Sequence, residues 1–288
     1  MAKPAVYSIR DFGKSLASSA FYVQRLNIHV KEHQFTNHPH KHDFYLLLLV
    51  TKGSGRHEVD FVEYKVEPGS VFMMQPGQMH SWQLSNDIDG FVFFHSKEFF
   101  EEAYTHAGIH RFSFFRSFQS VPYLKVDRKN TAVLAPLFEA MLDEYKLQLQ
   151  YKFDKLHALV NLVYIAVARA YGENEPGRSS RYLDVFSKFE RLIEEHFYSQ
   201  RLPGYYASKL NITEKHLNRI CRECVDKTST SLIADRVLLE ARRLLIQTKQ
   251  NITQIGDELG FKDTSYFVRF FKKNAGETPL SFRRKYFE

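Results

Sequence analysis

Ile252-Thr253-Gln254-Ile255-Gly256-Asp257-Glu258-Leu259-Gly260-Phe261-Lys262-Asp263-Thr264-Ser265-Tyr266-Phe267-Val268-Arg269-Phe270-Phe271-Lys272-Lys273 is the stretch on which the fold turns. Ile252–Leu259 reads as a short helix with Gly256 as its small residue, Gly260 as a turn and Phe261 as an apolar plug. Asp263–Lys273 reads as a second helix, with Phe267, Phe270 and Phe271 inward and Thr264, Ser265, Arg269 and Lys272 outward. A small residue lets the second helix cross the first closely, which a helix-turn-helix requires.

The same pattern stands about 49 residues earlier. Tyr205-Tyr206-Ala207-Ser208-Lys209-Leu210-Asn211-Ile212-Thr213 supplies the small Ala207, the anchor Leu210 and a turn at Asn211. Asn tolerates the left-handed conformation such a turn needs. Thr213 is a good N-cap for a helix over Glu214–Val225. Leu217, Ile220 and Cys221 share one face of that helix, and Lys215, Asn218, Arg219 and Arg222 the other. Between the two units Ser231–Thr248 is an amphipathic helix of roughly 27 Å at ~1.5 Å per residue. With its flanking helices it suits two reading helices in successive major grooves, roughly 34 Å apart. A helical bundle with another role is the alternative for either unit alone.

Charge separates this region from the rest. Residues 1–200 hold 23 Lys and Arg against 23 Asp and Glu, whereas residues 201–288 hold 17 against 10, which is the whole net charge of +7. A basic excess confined to one region is the footprint of a surface that faces phosphates. No apolar run reaches the roughly 18 residues a membrane span needs, and Met1–Ser15 has no segment that reads as a signal peptide. Two cysteines, Cys221 and Cys224, form no disulfide framework. Their spacing within one helix reads as core filling, with a metal or redox role as the lesser alternative. Reduced thiols point to a cytoplasmic, nucleoid-associated protein.

Residues 181–288 resemble the DNA-binding domain of the AraC/XylS family of bacterial transcription regulators. The residues that carry the resemblance are Ile255–Phe261, Ser265–Lys273, Gly276-Glu277-Thr278-Pro279 and Ser281-Phe282-Arg283, with Ala207, Leu210-Asn211-Ile212 and His216-Leu217-Asn218-Arg219 in the first unit. The resemblance implies that Lys215, Asn218, Arg219, Thr264, Ser265 and Arg269 read bases in double-stranded DNA. It implies that Arg222 and Lys272 touch phosphates, and that RNA polymerase is a partner of an activator of this kind. Gly256 departs from the usual Ala, a change expected to leave packing intact, and Asp226 stands where a Gly often closes the first unit.

The N-terminal part reads as β. Phe21–Val30, Phe44–Val50, His57–Phe61, Val71–Gln75 and Phe91–His95 are short runs of Phe, Tyr, Val and Leu. Gly53 and Gly55, Pro68-Gly69 and Pro76-Gly77 mark turns between them. Such a series fits a sandwich or barrel. Lys97–Tyr104 reads as a short helix. Asn130–Gln150 (Val133, Leu134, Leu137, Phe138, Met141, Leu142, Tyr145) and Phe153–Tyr171 (Leu156, Leu159, Val160, Val163, Tyr164, Val167) carry helical apolar stripes. Glu173–Ser180 reads as a linker.

His40-Lys41-His42 with Gly53, and Gly69 with Pro76-Gly77-Gln78-Met79-His80, resemble the two motifs of a cupin barrel. Metal-binding cupins add a carboxylate where this chain has Leu46 and Leu47, so no metal or other cofactor is expected. A three-His site and ordinary polar residues at a barrel mouth are the alternatives. His40, His42, His80 and Trp82 recur with the two-residue period of strands and can line one pocket for a small organic effector. The two long helices match the place where the AraC family dimerises, with a hairpin covering the barrel edge as the alternative.

The expected architecture is therefore a two-domain α+β chain. Residues 1–172 form a cupin-like β-barrel plus helical hairpin for effector binding and dimerisation, 173–180 a linker, and 181–288 an all-α domain with two helix-turn-helix units. The expected function is an effector-responsive, homodimeric transcription regulator, not an enzyme. The alternatives are a metal-dependent cupin enzyme with a DNA-binding appendage and an effector-independent regulator.

Overall fold

The computed structural model describes residues 6–12, 20–33, 38–104, 108–172 and 180–287. The chain divides into two compact units between residues 174 and 175. The expected linker, Glu173–Ser180, lies outside the described residues except for Ser180, where a helix begins.

The first unit runs β1 (Val6–Tyr7), β2 (Phe21–Arg25), α1 (Leu26–Glu32), β3 (Lys41–His42), β4 (Tyr45–Lys52), β5 (Gly55–Val59), β6 (Val62–Val66) and β7 (Ser70–Met74). It continues through β8 (His80–Leu84), β9 (Asp89–His95), α2 (Lys97–Ala103), β10 (Tyr123–Lys125), α3 (Arg128–Lys146) and α4 (Lys152–Tyr171). One sheet has the order β10-β7-β4-β9-β2 and another β6-β5-β8, all antiparallel, while β1 and β3 pair in parallel.

Strand β4 explains the layering. Its residues from Tyr45 to Val50 are all buried, which requires cover on both faces. Leu46, Leu48 and Val50 join Phe44, Phe72, Phe94 and Trp82 in the interior between the sheets. Tyr45, Leu47 and Leu49 face the other way, into a core shared with α2, α3 and α4. The side-chain period of two sorts one apolar run into two cores.

The helical stripes expected to dimerise are largely consumed here. Leu134, Phe138, Met141, Leu142, Leu156, Leu159, Val160, Val163, Tyr164 and Val167 are buried in the core with Phe91 and Phe93 of β9. The hairpin covers the sheet and shields the outward face of β4. The hairpin is pinned by a buried polar tie. His95 donates from Nδ1 to the Ser96 carbonyl at 2.8 Å, so its Nε2 accepts the Tyr164 hydroxyl at 2.5 Å.

Several boundaries differ from expectation. Phe21–Val30 is not one strand: the chain turns into α1 after Arg25, placing Leu26 and His29 one helical turn apart on the core side. The strand expected over His57–Phe61 ends at Val59, because Asp60 and Phe61 form a two-residue hairpin turn with φ 47° and 71°. That geometry matches strand twist and usually recruits Asn-Gly or Asp-Gly, so Asp-Phe hid β6. The first long helix ends at Lys146 rather than Gln150.

The second unit is α5 (Ser180–His196), α6 (Pro203–Lys209), α7 (Glu214–Val225), α8 (Ser229–Gln247), α9 (Ile252–Glu258), α10 (Thr264–Ala275) and α11 (Pro279–Phe287). Asn211 takes φ 54° in the first turn and Asp226 φ 52° after α7, so Asp fills the place of a closing Gly. Thr213 and Asp263 cap α7 and α10, accepting from the His216 and Tyr266 amides. Gly256 is not neutral for packing: a Cβ there would stand 3.3 Å from Phe267 Cβ, so Gly lets α10 sit closer than Ala would.

Phe138 stacks on Phe91 with ring centroids 5.2 Å apart. Phe138→Ala is expected to cost about 3–5 kcal/mol in urea denaturation followed by the emission of Trp82, the single tryptophan. The loss should not depend on protein concentration. A concentration-dependent loss would return this stripe to a dimer interface.

Candidate functional site

The interior between the two sheets collects imidazoles. His40 lies beside β3 and is bridged to His80 at the start of β8, while His42 ends β3. Their exposures are 3%, 1% and 2%, and Trp82 is at 3%. The four expected residues therefore come together: the His40 and His80 rings are 4.1 Å apart, His42 and His80 5.1 Å, and His80 and Trp82 5.0 Å. His57 on β5, fully buried, completes the group, stacking on Trp82 at 4.4 Å. Sequence reading passed over it because it matches neither cupin motif. Its alternation with Val59 on β5, the strand hydrogen-bonded to the Trp82 strand, was the available signal. Tyr7 of the N-terminal segment lies edge-on to His40 at 5.4 Å.

Hydrogen bonding fixes most proton positions. A carbonyl only accepts, so His40 and His42 each donate from Nδ1, to the His38 and Phe44 carbonyls at 2.8 Å. Their Nε2 atoms are lone-pair acceptors. His57 Nε2 and His80 Nδ1 share one proton across 3.0 Å. Whichever holds it, the pair presents one donor and one acceptor through His57 Nδ1 and His80 Nε2. Among the described residues, His42 Nε2, His57 Nδ1, His80 Nε2 and Trp82 Nε1 are buried without a partner. Four such atoms in one interior are unusual, because buried polar groups are normally hydrogen-bonded.

The interior is uncharged. Burial lowers His42 to a pKa of about 3 and His40 to about 4, and holds His57 and His80 well below the usual histidine value. Mutual repulsion among the imidazoles adds to the effect at His42, His57 and His80. Leu46 lines this interior and Leu47 points away from it, so no carboxylate stands at the cupin position. Among the described residues no three His, Cys, Asp or Glu side chains are arranged to hold a metal.

The second site is the outer stripe of α7 and α10. Lys215, Arg219 and Arg222 are exposed, as are Ser265, Arg269 and Lys272. Leu217, Ile220, Cys221 and Cys224 form the buried side of α7, with Cys221 pushed up to about 12 by burial, an unreactive thiol. Two expected base readers are engaged elsewhere. Asn218 is half-buried, and its Oδ1 accepts the Ser229 amide at 3.1 Å, clasping α7 to the start of α8. Thr264 is half-buried, and its hydroxyl bonds Thr253 Oγ1 at 3.0 Å. Both sit where α7 or α10 meets a neighbouring helix, a detail helical phase alone does not reveal. Arg219 donates to His216 Nδ1 at 2.9 Å and lies over the Tyr182 ring, 5.6 Å from its centre. Phe270 is only half-buried and packs on Phe261 at 5.1 Å.

Comparison with known proteins bears on both sites. Residues 25–157 match the family model described as an AraC-like ligand binding domain, and residues 206–285 the one described as a helix-turn-helix domain. The arabinose operon regulatory protein of Salmonella typhimurium is 24% identical over 247 residues, 83% of each chain. The HTH-type transcriptional activator RhaR of Yersinia pseudotuberculosis is 22% identical over 293 residues, covering 99% of this chain and 96% of its own. A solved structure of ToxT from Vibrio cholerae aligns over 92% of this chain and 98% of its own, at 14% identity and a TM-score of 0.45.

The buried imidazoles set an acid limit. His29 is held at about 3 and His95 at about 4, so six buried histidines of this unit stay neutral when folded. Unfolded histidine titrates near ~6.5. Above that pH neither state binds the protons and stability is full. As pH falls below it the unfolded chain takes them up first, and stability falls. Six groups give a limiting slope on the order of 8 kcal/mol per pH unit. The Trp82 emission transition is expected to drop steeply in temperature between pH 6.5 and 4.5. A transition temperature flat over that range would contradict the burial of these imidazoles.

Proposed function

Because the chain belongs to the AraC family of regulators, joining an AraC-like ligand-binding domain to a helix-turn-helix domain, we propose that the imidazole- and Trp-lined interior of its β domain is the effector site. The observation that carries this is the set of four buried, unpartnered polar atoms on His42, His57, His80 and Trp82. Trp82 Nε1 only donates, His42 Nε2 only accepts, and the His57–His80 pair does one of each. Groups that both donate and accept fit this set, and the neutral interior has no fixed charge to neutralise an ion. The effector is an uncharged, hydroxyl-bearing small molecule, with the Trp82 and His57 faces as its stacking surface. His40 supplies a further acceptor.

The same reading makes α7 and α10 the DNA-reading helices. Lys215, Arg219, Ser265 and Arg269 read base edges, and Arg222 and Lys272 meet phosphates. Asn218 and Thr264 contribute only what their clasping bonds leave available. The protein acts as a homodimeric, cytoplasmic, nucleoid-associated regulator with RNA polymerase as a partner, and no helix among the described residues is long and apolar enough to cross a membrane. The dimer contact falls to what the sheet does not cover: Val133 and Leu162 on the hairpin helices, 53% and 49% exposed. An enzymatic role for the β domain is disfavoured by Leu46 in the place of a metal-ligating carboxylate.

Two experiments test these assignments. Titration of Trp82 emission with neutral polyols and with small carboxylates should show saturable binding of the former, weakened at least tenfold by His42→Leu and unchanged by chelators. Binding confined to anions, or lost on chelation, would refute the effector class. For DNA, an Arg bidentate to guanine discriminates by about 1–3 kcal/mol. Arg269→Ala should lose that much on the operator and little on scrambled DNA. Lys272→Ala should weaken both alike and lower the salt slope by about one. Titration of both variants at several salt concentrations decides, and the opposite pattern would reverse the two roles.

A further inference from the structure

The two helix-turn-helix units share α8, and they are also tied at a point away from it. Arg201 lies in the loop that follows α5. Its guanidinium sits 3.5 Å from the centre of the Phe261 ring, and Nη2 donates to the Leu259 carbonyl. Leu259, Gly260 and Phe261 are the turn of the second unit. Gly260 is pressed against the same loop: it has φ 75°, and a Cβ there would stand 2.2 Å from the Tyr198 carbonyl oxygen. The loop is fastened in turn to the first unit, because the Tyr206 hydroxyl of α6 donates to the Gln200 carbonyl at 2.7 Å. An unbroken path thus runs from the first helix of one unit, through Gln200 and Arg201, to the turn of the other.

A single shared helix fixes the distance between two bodies better than it fixes their rotation about its axis. A second contact displaced from the axis removes that freedom. Rotation matters on DNA because each base pair turns the groove by about 35°. We propose that Arg201 is a positioning residue that sets the rotational phase between α7 and α10, and hence the spacing between operator elements that this protein accepts. The inference rests on the reading of both α7 and α10 as DNA-contacting helices. Planarity is the property required: the guanidinium covers an aromatic face while its fork donates in plane to a carbonyl, which an ammonium cannot do together.

The test starts from binding-site selection on random duplexes with the full-length protein, to define the two-element operator. Wild type, Arg201→Lys and Arg201→Met are then titrated against that operator and against versions with one base pair added or removed between the elements. Wild type is expected to lose at least tenfold in affinity for either change of spacing. Arg201→Met should bind the selected operator a few-fold more weakly, with the spacing penalty reduced to threefold or less. Arg201→Lys, which keeps charge and length, should fall between and provides the readout if Arg201→Met does not fold. Point changes within either element should still cost both variants what they cost wild type, which separates altered phase from lost reading. A variant that keeps the full spacing penalty, or weakens all three spacings equally, overturns the proposal. A wild-type protein indifferent to spacing refutes the two-helix reading and the proposal with it.

Discussion

A helix that serves two units at once is covered on nearly every side, and α8 meets that demand with paired charge as well as hydrocarbon. Leu232, Ile233, Val237, Ala241, Leu244 and Leu245 are buried, but so are Arg236, Glu240 and Arg243. Arg236 donates to Glu194 of α5 at 2.7 Å and to Glu240 at 3.0 Å, while its guanidinium lies 4.0 Å from the centre of the Phe197 ring. Arg243 approaches Glu240 at 3.6 Å. Burying ions is costly, and such a cluster adds little net stability over an apolar one. What it adds is directional fit: a guanidinium between two carboxylates and an aromatic face has one satisfactory arrangement. The register of α5 against α8 follows from it, and through α8 so do the positions of α7, α9 and α10.

The β unit rests on the equivalent constraint at β4. A strand apolar at six consecutive positions cannot face water on either side. Its two covers differ in kind. On one side α3 and α4 fill the space with hydrocarbon and the His95–Tyr164 tie. On the other the interior is only partly satisfied, with polar atoms of His42, His57, His80 and Trp82 left unpaired. A close-packed wall beside an under-satisfied interior is how a small domain can be rigid and still receptive: affinity for a hydrogen-bonding molecule comes from bonds the fold leaves unmade.

The helix-turn-helix units were legible in sequence because their signals are local: a small residue, a left-handed turn and a capping side chain within about ten positions. Asn211, Thr213, Gly260 and Asp263 act as their types predict. Less legible was whatever depended on partners distant in the chain. Leu134, Phe138 and Val160 show a stripe, but a stripe does not say whether a sheet or a second subunit covers it. His57 carries no motif, and its place beside Trp82 follows from strand pairing across some twenty-five residues. The clasps at Asn218 and Thr264 depend on helix ends whose approach is tertiary. Arg201 looked like one more basic residue of a basic region, and only the fold puts it on Phe261.

The charge distribution and the imidazole interior are complementary choices. Residues 1–200 are balanced in formal charge, and the imidazole cluster between the sheets is held neutral by burial. Residues 201–288, which hold both helix-turn-helix units, carry the entire excess. Ionic strength therefore acts on one function and barely on the other, since screening weakens phosphate contacts but not hydrogen bonds inside an apolar shell. Protons act on the β unit instead, and through its folding: the buried imidazoles stay neutral in the fold, so it is the unfolded chain that takes up protons as pH falls. On the effector reading proposed above, such a regulator varies its DNA affinity with salt while its interior reports on one neutral molecule.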